Sequence, residues 1–160
     1  GTNKQMLQQI SNASLGPAGI IILVTGAGGV LKQVLIDSGM GEQLAMGVVS
    51  SNINPLLLAW VIAAIVRVTQ GSATVAMITA AGIISPILPV FHLNTQQEAL
   101  VVIAIATGST ILSHVNDSAF WPVGKYLGMD EKQTLQSWTV METIVSLSGL
   151  LLAWLVYQLV

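Results

Sequence analysis

The chain has no cysteine and only 8% charged residues. The lack of cysteine excludes a disulfide framework and a thiolate metal site. A typical soluble domain has about 25% charged residues, so this chain has too few polar side chains to cover a soluble globule. The net charge of −2 gives no sign of a surface for nucleic acid or for anionic lipids.

Long apolar stretches take the place of the missing charges. Hydrophobic residues make up 53% of the chain, and the mean hydropathy is +0.78. A membrane-spanning helix needs roughly 20 mainly apolar residues. Stretches of about that length without Asp, Glu, Lys or Arg recur at residues 43–66, 68–97, 99–116 and 143–160. The sequence therefore predicts an all-α integral membrane protein in a lipid bilayer.

Three short glycine-rich or polar runs interrupt the apolar sequence. We call residues 26–29 the first knot, residues 69–72 the second knot and residues 113–117 the third knot. Irregular backbone at bilayer depth is tolerated only where it is buried in protein or lines a watery cavity. Transporters use such broken helices to bind ions and solutes. The knots therefore predict a binding site for a polar solute, and we expect all three to face one cavity.

The whole chain, residues 1–160, is predicted to form one membrane unit, and its shortness for a carrier indicates part of a longer protein. A polar lead-in at 1–14 comes before a re-entrant hairpin at 15–41, for which a broken helix that crosses once is the alternative. The following predicted segments are a packing helix and a broken transmembrane helix at 42–89, a broken segment at 98–127 and a final transmembrane helix at 137–160.

The first knot consists of Gly26, Ala27, Gly28 and Gly29. Glycine allows positive φ and a close approach to the backbone, so exposed N–H groups here are predicted to bind an anion. The alternative interpretations are a tight contact between helices and a plain turn.

The second knot follows Arg67, which lies deep in an apolar stretch. A centrally placed arginine costs about 2.5–3.5 kcal/mol on insertion scales, so it is expected to have a partner. A substrate carboxylate is the predicted partner; a structural ion pair and snorkelling to the interface are the alternatives. The knot and its surroundings offer further substrate contacts, including hydroxyls and an amide suited to a polyhydroxylated ligand: Thr69, Gln70, Gly71, Ser72 and Thr74.

The third knot contains Ser113, His114, Asn116 and Asp117. Ser113 and Asn116 are predicted to contact the substrate. Histidine titrates near physiological pH, and Asp117 would do so if partly desolvated, so both are candidate proton-coupling groups. The alternative is a helix cap formed by Asp117. A metal site is not predicted, because one histidine and one aspartate are too few ligands.

Two residues of the final segment are predicted to lie at the membrane interface. Trp138 is assigned to an interfacial aromatic belt. Glu142 is assigned to the first turn of the final helix, where the helix dipole favours a carboxylate. Neither residue is expected to take part in the binding site.

Three blocks of sequence resemble the gluconate permease family, the gluconate:proton symporters of bacteria. The blocks are LVTGAGGVLKQVLIDSGMGEQLA (23–45), RVTQGSATVAMITAAG (67–82) and SHVNDSAFWPVGKYLGMDEKQTLQSWTVMETI (113–144). Their order and spacing are similar to the C-terminal half of such a permease, and the likeness covers nearly the whole chain.

The resemblance implies one repeat of the ion-transporter-like fold, which contains two inverted repeats with re-entrant hairpins and broken helices. It also implies a multi-pass protein of the bacterial inner membrane that takes up gluconate or a related sugar acid with protons. No cofactor and no enzymatic activity are expected. The predicted partners are the substrate, protons, lipid and either the missing N-terminal repeat or a second copy. The competing hypothesis is a non-transporting regulatory or assembly module derived from a permease.

Overall fold

The computed structural model describes residues 3–38, residue 47 and residues 53–160. Within these ranges the chain is helical and contains no strand, which agrees with the predicted all-α class. The helices are α1 (Lys4–Asp37), α2 (Pro55–Gln70), α3 (Ala73–Ile84), α4 (Thr95–Gly108), α5 (Phe120–Leu127) and α6 (Glu131–Tyr157), with a short 3₁₀ helix at Leu88–Phe91.

Helix α1 is continuous over 34 residues and includes the whole first knot. The predicted boundary at residue 14 and the predicted hairpin tip at residues 26–29 are therefore wrong, and residues 39–41 of the hairpin lie outside the described residues. Glycine in a helix interior costs only about 1 kcal/mol relative to alanine. No proline follows Pro17 within α1, so no further residue removes a backbone donor from the helix.

The predicted packing helix at 42–51 lies outside the described residues except for Gly47. The segment predicted as a broken transmembrane helix contains α2 and α3, which pack against each other and share one buried core that includes Ala63 and Ala80. The two helices therefore form a hairpin around the second knot, and the predicted single discontinuous crossing is wrong. Helix α2 begins at Pro55 after Asn54, whose side chain accepts a hydrogen bond of 2.8 Å from the Leu56 N–H. Helix α3 ends at Ile84, just before Pro86, because proline cannot continue the backbone hydrogen bonds.

The second broken segment is present as α4 and α5 with a non-helical connection at 109–119. Helix α6 begins at Glu131, six residues before the predicted start of the final helix. The reason is a capping box, in which Asp130 and Gln133 satisfy each other's backbone N–H groups. A π-helical turn, Leu135–Thr139, lies near the start of α6.

Small residues allow these helices to pack closely. Buried alanines occur on four helices, namely Ala59 and Ala63 of α2, Ala80 of α3, Ala104 of α4 and Ala153 of α6. A Cβ atom on Gly108 of α4 would lie 2.5 Å from the Trp60 carbonyl oxygen of α2, so only glycine fits there. Such contacts between small residues are typical of helix packing in membranes.

Within the described part of the chain, one helix is long and apolar enough to cross a membrane, the 27-residue α6. Helices α2 and α3 are apolar but shorter. Large apolar side chains of α6, such as Leu147, Leu151 and Leu155, remain exposed. This surface is suited to contact with lipid.

Candidate functional site

The second knot ends one helix and starts another within two residues. Gly71 adopts φ +70°, a left-handed conformation that disfavours residues with a Cβ, and its N–H donates to the Arg67 carbonyl at 2.9 Å. Ser72 is extended, and its hydroxyl accepts a hydrogen bond from the Val75 N–H at the start of α3. The polar backbone groups at this break are therefore partly satisfied by local caps.

The third knot lies in the connection between α4 and α5. The N–H of Asp117 donates to the His114 carbonyl at 2.8 Å. The Asp117 carboxylate accepts a hydrogen bond of 3.1 Å from the Ala119 N–H just before α5. Asp117 thus stabilises the turn before α5, but it is not the helix cap of the alternative interpretation, because the N-cap residue of α5 is Ala119 and no side chain caps this helix.

The two knots contact each other directly. A Cβ atom on Gly71 would collide with the Asn116 carbonyl oxygen, so glycine is required by close approach as well as by φ. The Asn116 side-chain amide donates to the Val68 carbonyl at 2.9 Å, which satisfies an acceptor in the last turn of α2. The convergence expected from the sequence therefore holds for the second and third knots.

A buried ion pair links the two knots. The Nη2 atom of Arg67 lies 2.5 Å from Oδ2 of Asp117, and the two side chains are only 4% and 3% exposed. The hydroxyl of Ser113 donates to the same carboxylate oxygen. Among the described residues, Nε and Nη1 of Arg67 are buried without a hydrogen-bond partner. Because such donors are costly to leave unsatisfied, this arginine has capacity for a further acceptor.

Helix α6 supports the ion pair through Ser113. The indole N–H of Trp138 donates to the Ser113 hydroxyl at 2.8 Å, and the Thr139 hydroxyl donates to the Ser113 carbonyl. Both residues belong to the π-helical turn of α6. Single π turns inside α-helices are frequent at functional sites, and this one points two donors at the third knot.

The other predicted side chains are near the knots but do not join the buried network. The Thr69 hydroxyl donates to carbonyl groups of its own helix, and Thr69, Gln70 and Thr74 are exposed. Nδ1 of His114 lies 2.8 Å from the Leu112 carbonyl oxygen, so one ring nitrogen is engaged locally. These side chains remain candidates for contact with a solute at the break.

The first knot is not part of this site as an anion cradle. Gly26, Ala27, Gly28 and Gly29 lie inside the uninterrupted helix α1. The N–H groups of a helix interior bond to carbonyl groups four residues earlier, so they are not available to an anion. The prediction of an anion cradle at this knot is therefore wrong.

Sequence reasoning missed the contribution of α6. Trp138 was assigned to the membrane interface, yet it is half-buried and bonded to Ser113. Glu142, also half-buried, lies within electrostatic reach of Arg67 and Asp117. A helical recurrence of polar residues was the available signal, since Thr139, Glu142 and Ser146 follow each other at spacings of three and four.

A comparison with known protein families shows which family the chain belongs to. The model of the GntP family permeases matches residues 1–160, the whole chain. The chain belongs to the GntP permease family. Its relatives are transporters, so the expectation that the chain is not an enzyme is confirmed, and a membrane location follows from the family.

Several curated relatives are similar to this GntP family chain. It is 44% identical over 159 residues to a low-affinity gluconate transporter of Escherichia coli K12, covering 99% of this chain and 36% of the relative. It is 43% identical to a gluconate permease of Pseudomonas aeruginosa over 94% of this chain and 33% of the relative. It is 42% identical to a Gnt-II system L-idonate transporter of Escherichia coli K12 over 94% of this chain and 34% of the relative.

The chain spans about a third of the length of these relatives, less than the half that the sequence resemblance implied. No solved structure matches it. In the part of the chain that the structure describes, no three His, Asp or Glu side chains are grouped as a metal site would require.

Proposed function

We propose that this chain is part of a carrier that moves gluconate or a related sugar acid across the bacterial inner membrane together with protons. The names of the relatives, which include gluconate and L-idonate transporters, support this substrate class. The observation that carries the proposal is the buried Arg67, which meets Asp117 at two helix breaks and keeps two nitrogen atoms unpartnered among the described residues.

The carboxylate of the sugar acid binds to Arg67 in this proposal. The guanidinium has five N–H donors, and Asp117 occupies Nη2, so Nε and Nη1 are left for an incoming acceptor. Arginine suits this purpose because it is always charged and its donors match a carboxylate. The positive end of α3, which begins directly after the second knot, adds favourable partial charge for an anion.

The hydroxyl groups of the sugar acid bind to polar side chains around the breaks. Exposed side chains at or next to the second and third knots offer hydrogen-bond donors and acceptors near Arg67: Thr69, Gln70, Thr74 and Asn116. Ser72 and Ser113 already serve as local hydrogen-bonding groups, and they keep the breaks in shape while the solute is bound.

Proton coupling depends on Asp117 in this proposal, with His114 orienting the site. In this structure Asp117 is the counter-ion of Arg67. A substrate carboxylate that takes over Arg67 leaves Asp117 without its cation, and a buried carboxylate in that position favours the neutral, protonated form. Substrate and proton are thus bound together, which is the requirement for symport.

The rest of the permease completes the site. The helix breaks at the second and third knots, which contact each other, support an ion-transporter-like arrangement, in which such breaks meet near the membrane midplane at the interface of two repeats. The partner of this chain is then the missing N-terminal repeat or a second copy, and alternating access comes from movement of one unit against the other.

Uptake of labelled gluconate into proteoliposomes tests the function. A full-length permease carrying this sequence is expected to accumulate gluconate when the outside is made acidic, with L-idonate competing. Vesicles with the same permease and no pH gradient are the control for coupling. The absence of gluconate uptake in correctly inserted protein would favour the non-transporting module instead. The 160-residue chain, assayed with and without the remaining part, shows whether it transports alone.

A further inference from the structure

Glu142 lies on the inward face of α6. Residues on this face recur at spacings of three and four, as expected for one side of a helix, and all are buried or half-buried: Thr139, Glu142, Ser146, Gly149 and Ala153. Glu142 therefore faces the other helices, whereas the lipid-exposed surface of α6 is formed by leucines such as Leu147 and Leu151.

The hydrogen bonds of its neighbours on this face show which part of the helix bundle lies beside Glu142. One turn before it, Thr139 donates to the Ser113 carbonyl in the third knot. One turn after it, Ser146 accepts a hydrogen bond of 3.1 Å from the Trp60 indole of α2. Arg67 follows Trp60 by two turns on α2 and reaches the third knot through Asp117. Glu142 thus lies between these two contacts, beside the end of α2 that carries Arg67.

The charges around Glu142 are few. Helix α2 contributes Arg67, and the connection between α4 and α5 contributes Asp117 together with the half-buried His114. Helix α4, which also packs on α6, has Glu98 as its only charged residue, exposed in the first turn. The charges of Arg67 and Asp117 both act on Glu142. Among the described residues, the cluster therefore combines one permanent cation with two carboxylates.

We infer that Glu142 is the group whose protonation permits the anionic substrate to bind at Arg67. This inference rests on the proposed function. The charges of Arg67 and Asp117 cancel, so a deprotonated Glu142 gives the cluster a net negative charge that repels a carboxylate. A neutral Glu142 removes that repulsion and leaves the free Arg67 donors to the substrate.

One proton is sufficient for this scheme. Glu142 takes it from water in the empty carrier, while Asp117 stays paired with Arg67. When the substrate carboxylate occupies Arg67, the two carboxylates share the same proton as a coupled pair. The substrate and the proton then leave together on the other side, because a deprotonated Glu142 again disfavours the bound anion.

Gluconate counterflow at equal pH on both sides of the vesicle tests the inference, since no proton gradient then drives transport. For the full-length permease, KM is expected to rise with pH, by at most about tenfold per pH unit for one proton. Glu142→Gln is expected to lower KM at high pH and to weaken its rise with pH, because its neutral side chain mimics the protonated acid, and the rise that remains belongs to Asp117. Glu98→Gln, an exposed site, is the matched control and is expected to keep the wild-type profile.

A Glu142→Gln variant that keeps the wild-type rise of KM with pH would overturn the inference. Glu142→Asp is a second variant in case Glu142→Gln inserts poorly into the membrane. It keeps a carboxylate, so its KM is expected to remain pH-dependent. A pH-independent KM in Glu142→Asp would also overturn the inference. A flat wild-type profile with active counterflow contradicts the role of Glu142 and the binding of a proton with the substrate, but it leaves gluconate transport itself in place. The absence of counterflow by the wild-type carrier at every pH contradicts the proposed function itself.

Discussion

Two glycine-containing regions of this chain behave in opposite ways. Residues 26–29 include three glycines, yet α1 passes through them without a break. Residues 69–72 include only Gly71 as a glycine, yet α2 ends at Gln70 and α3 begins after two intervening residues. The difference shows that glycine permits a break but does not cause one. At the second knot the break is stabilised by the Ser72 cap and by the contact with Asn116.

The third knot shows that a helix can end without a glycine. It contains no glycine and is nevertheless non-helical, because Asp117 stabilises the turn and forms an ion pair with Arg67. Membrane helices break where the freed polar groups find partners. At residues 26–29 the helical hydrogen bonds are the partners, so nothing compensates for breaking them.

Alanine at Gly71 and at Gly26 gives the largest expected contrast. Gly71→Ala has to adopt positive φ and displace the Asn116 backbone, which is expected to cost on the order of 2–4 kcal/mol and to remove most of the folded carrier. Gly26→Ala has no heavy atom within 4 Å of the new Cβ and is expected to leave the carrier unchanged or slightly more stable. Thermal stability of the two variants in detergent provides the measurement, and equal midpoints would contradict the comparison.

Asp117→Asn is expected to have the next largest effect. It removes the counter-ion of Arg67 and the carboxylate that alternates between charged and neutral forms, so pH-driven accumulation is expected to be lost while some exchange down the gluconate gradient remains. Leaving a buried cation unpaired costs about 3–5 kcal/mol, so the amount of inserted protein has to be measured in parallel. His114→Gln is the milder companion variant. Full accumulation by Asp117→Asn would remove this residue from the coupling mechanism.

Arg67→Lys keeps the charge and changes the geometry of the donors. Arginine can contact Asp117 and a substrate carboxylate through different nitrogen atoms of its planar guanidinium, whereas lysine has a single nitrogen. KM for gluconate is therefore expected to rise about 10–100-fold, which corresponds to the loss of a charged hydrogen bond. Lys125→Arg, at an exposed position on α5, is the control and is expected to be neutral. An unchanged KM in Arg67→Lys would make Arg67 a structural residue only.

Trp138→Phe is expected to have the smallest measurable effect. The ring is kept, and only the hydrogen bond from the indole to Ser113 is removed, which corresponds to about 1 kcal/mol or roughly fivefold in transport rate. Trp121→Phe is the matched control, because the exposed Trp121 donates to the Val115 carbonyl rather than to Ser113. Equal effects of the two substitutions would argue against support of the ion pair by the π turn.

The sequence by itself determined the features that depend on local chemistry or on composition. Scarce charge and long apolar stretches indicated a helical membrane protein, and the three sequence blocks indicated the permease family. The breaks at residues 69–72 and 113–117 were predictable because Gly71, Ser72 and Asp117 act on backbone within a few residues of themselves. Helix starts at Pro55 and Glu131 follow the same local rules.

Only the tertiary structure decided which of these features form a site. Arg67 and Asp117 are 50 residues apart, and Trp138 lies 25 residues after Ser113, so no local rule pairs them. The inward position of Glu142 depends on which face of α6 packs against α2 and α4. The sequence also could not predict that α1 is continuous, because the GAGG run is compatible with a turn and with a helix. The energy difference between these two states is small for glycine, and the surrounding packing determines which state is adopted.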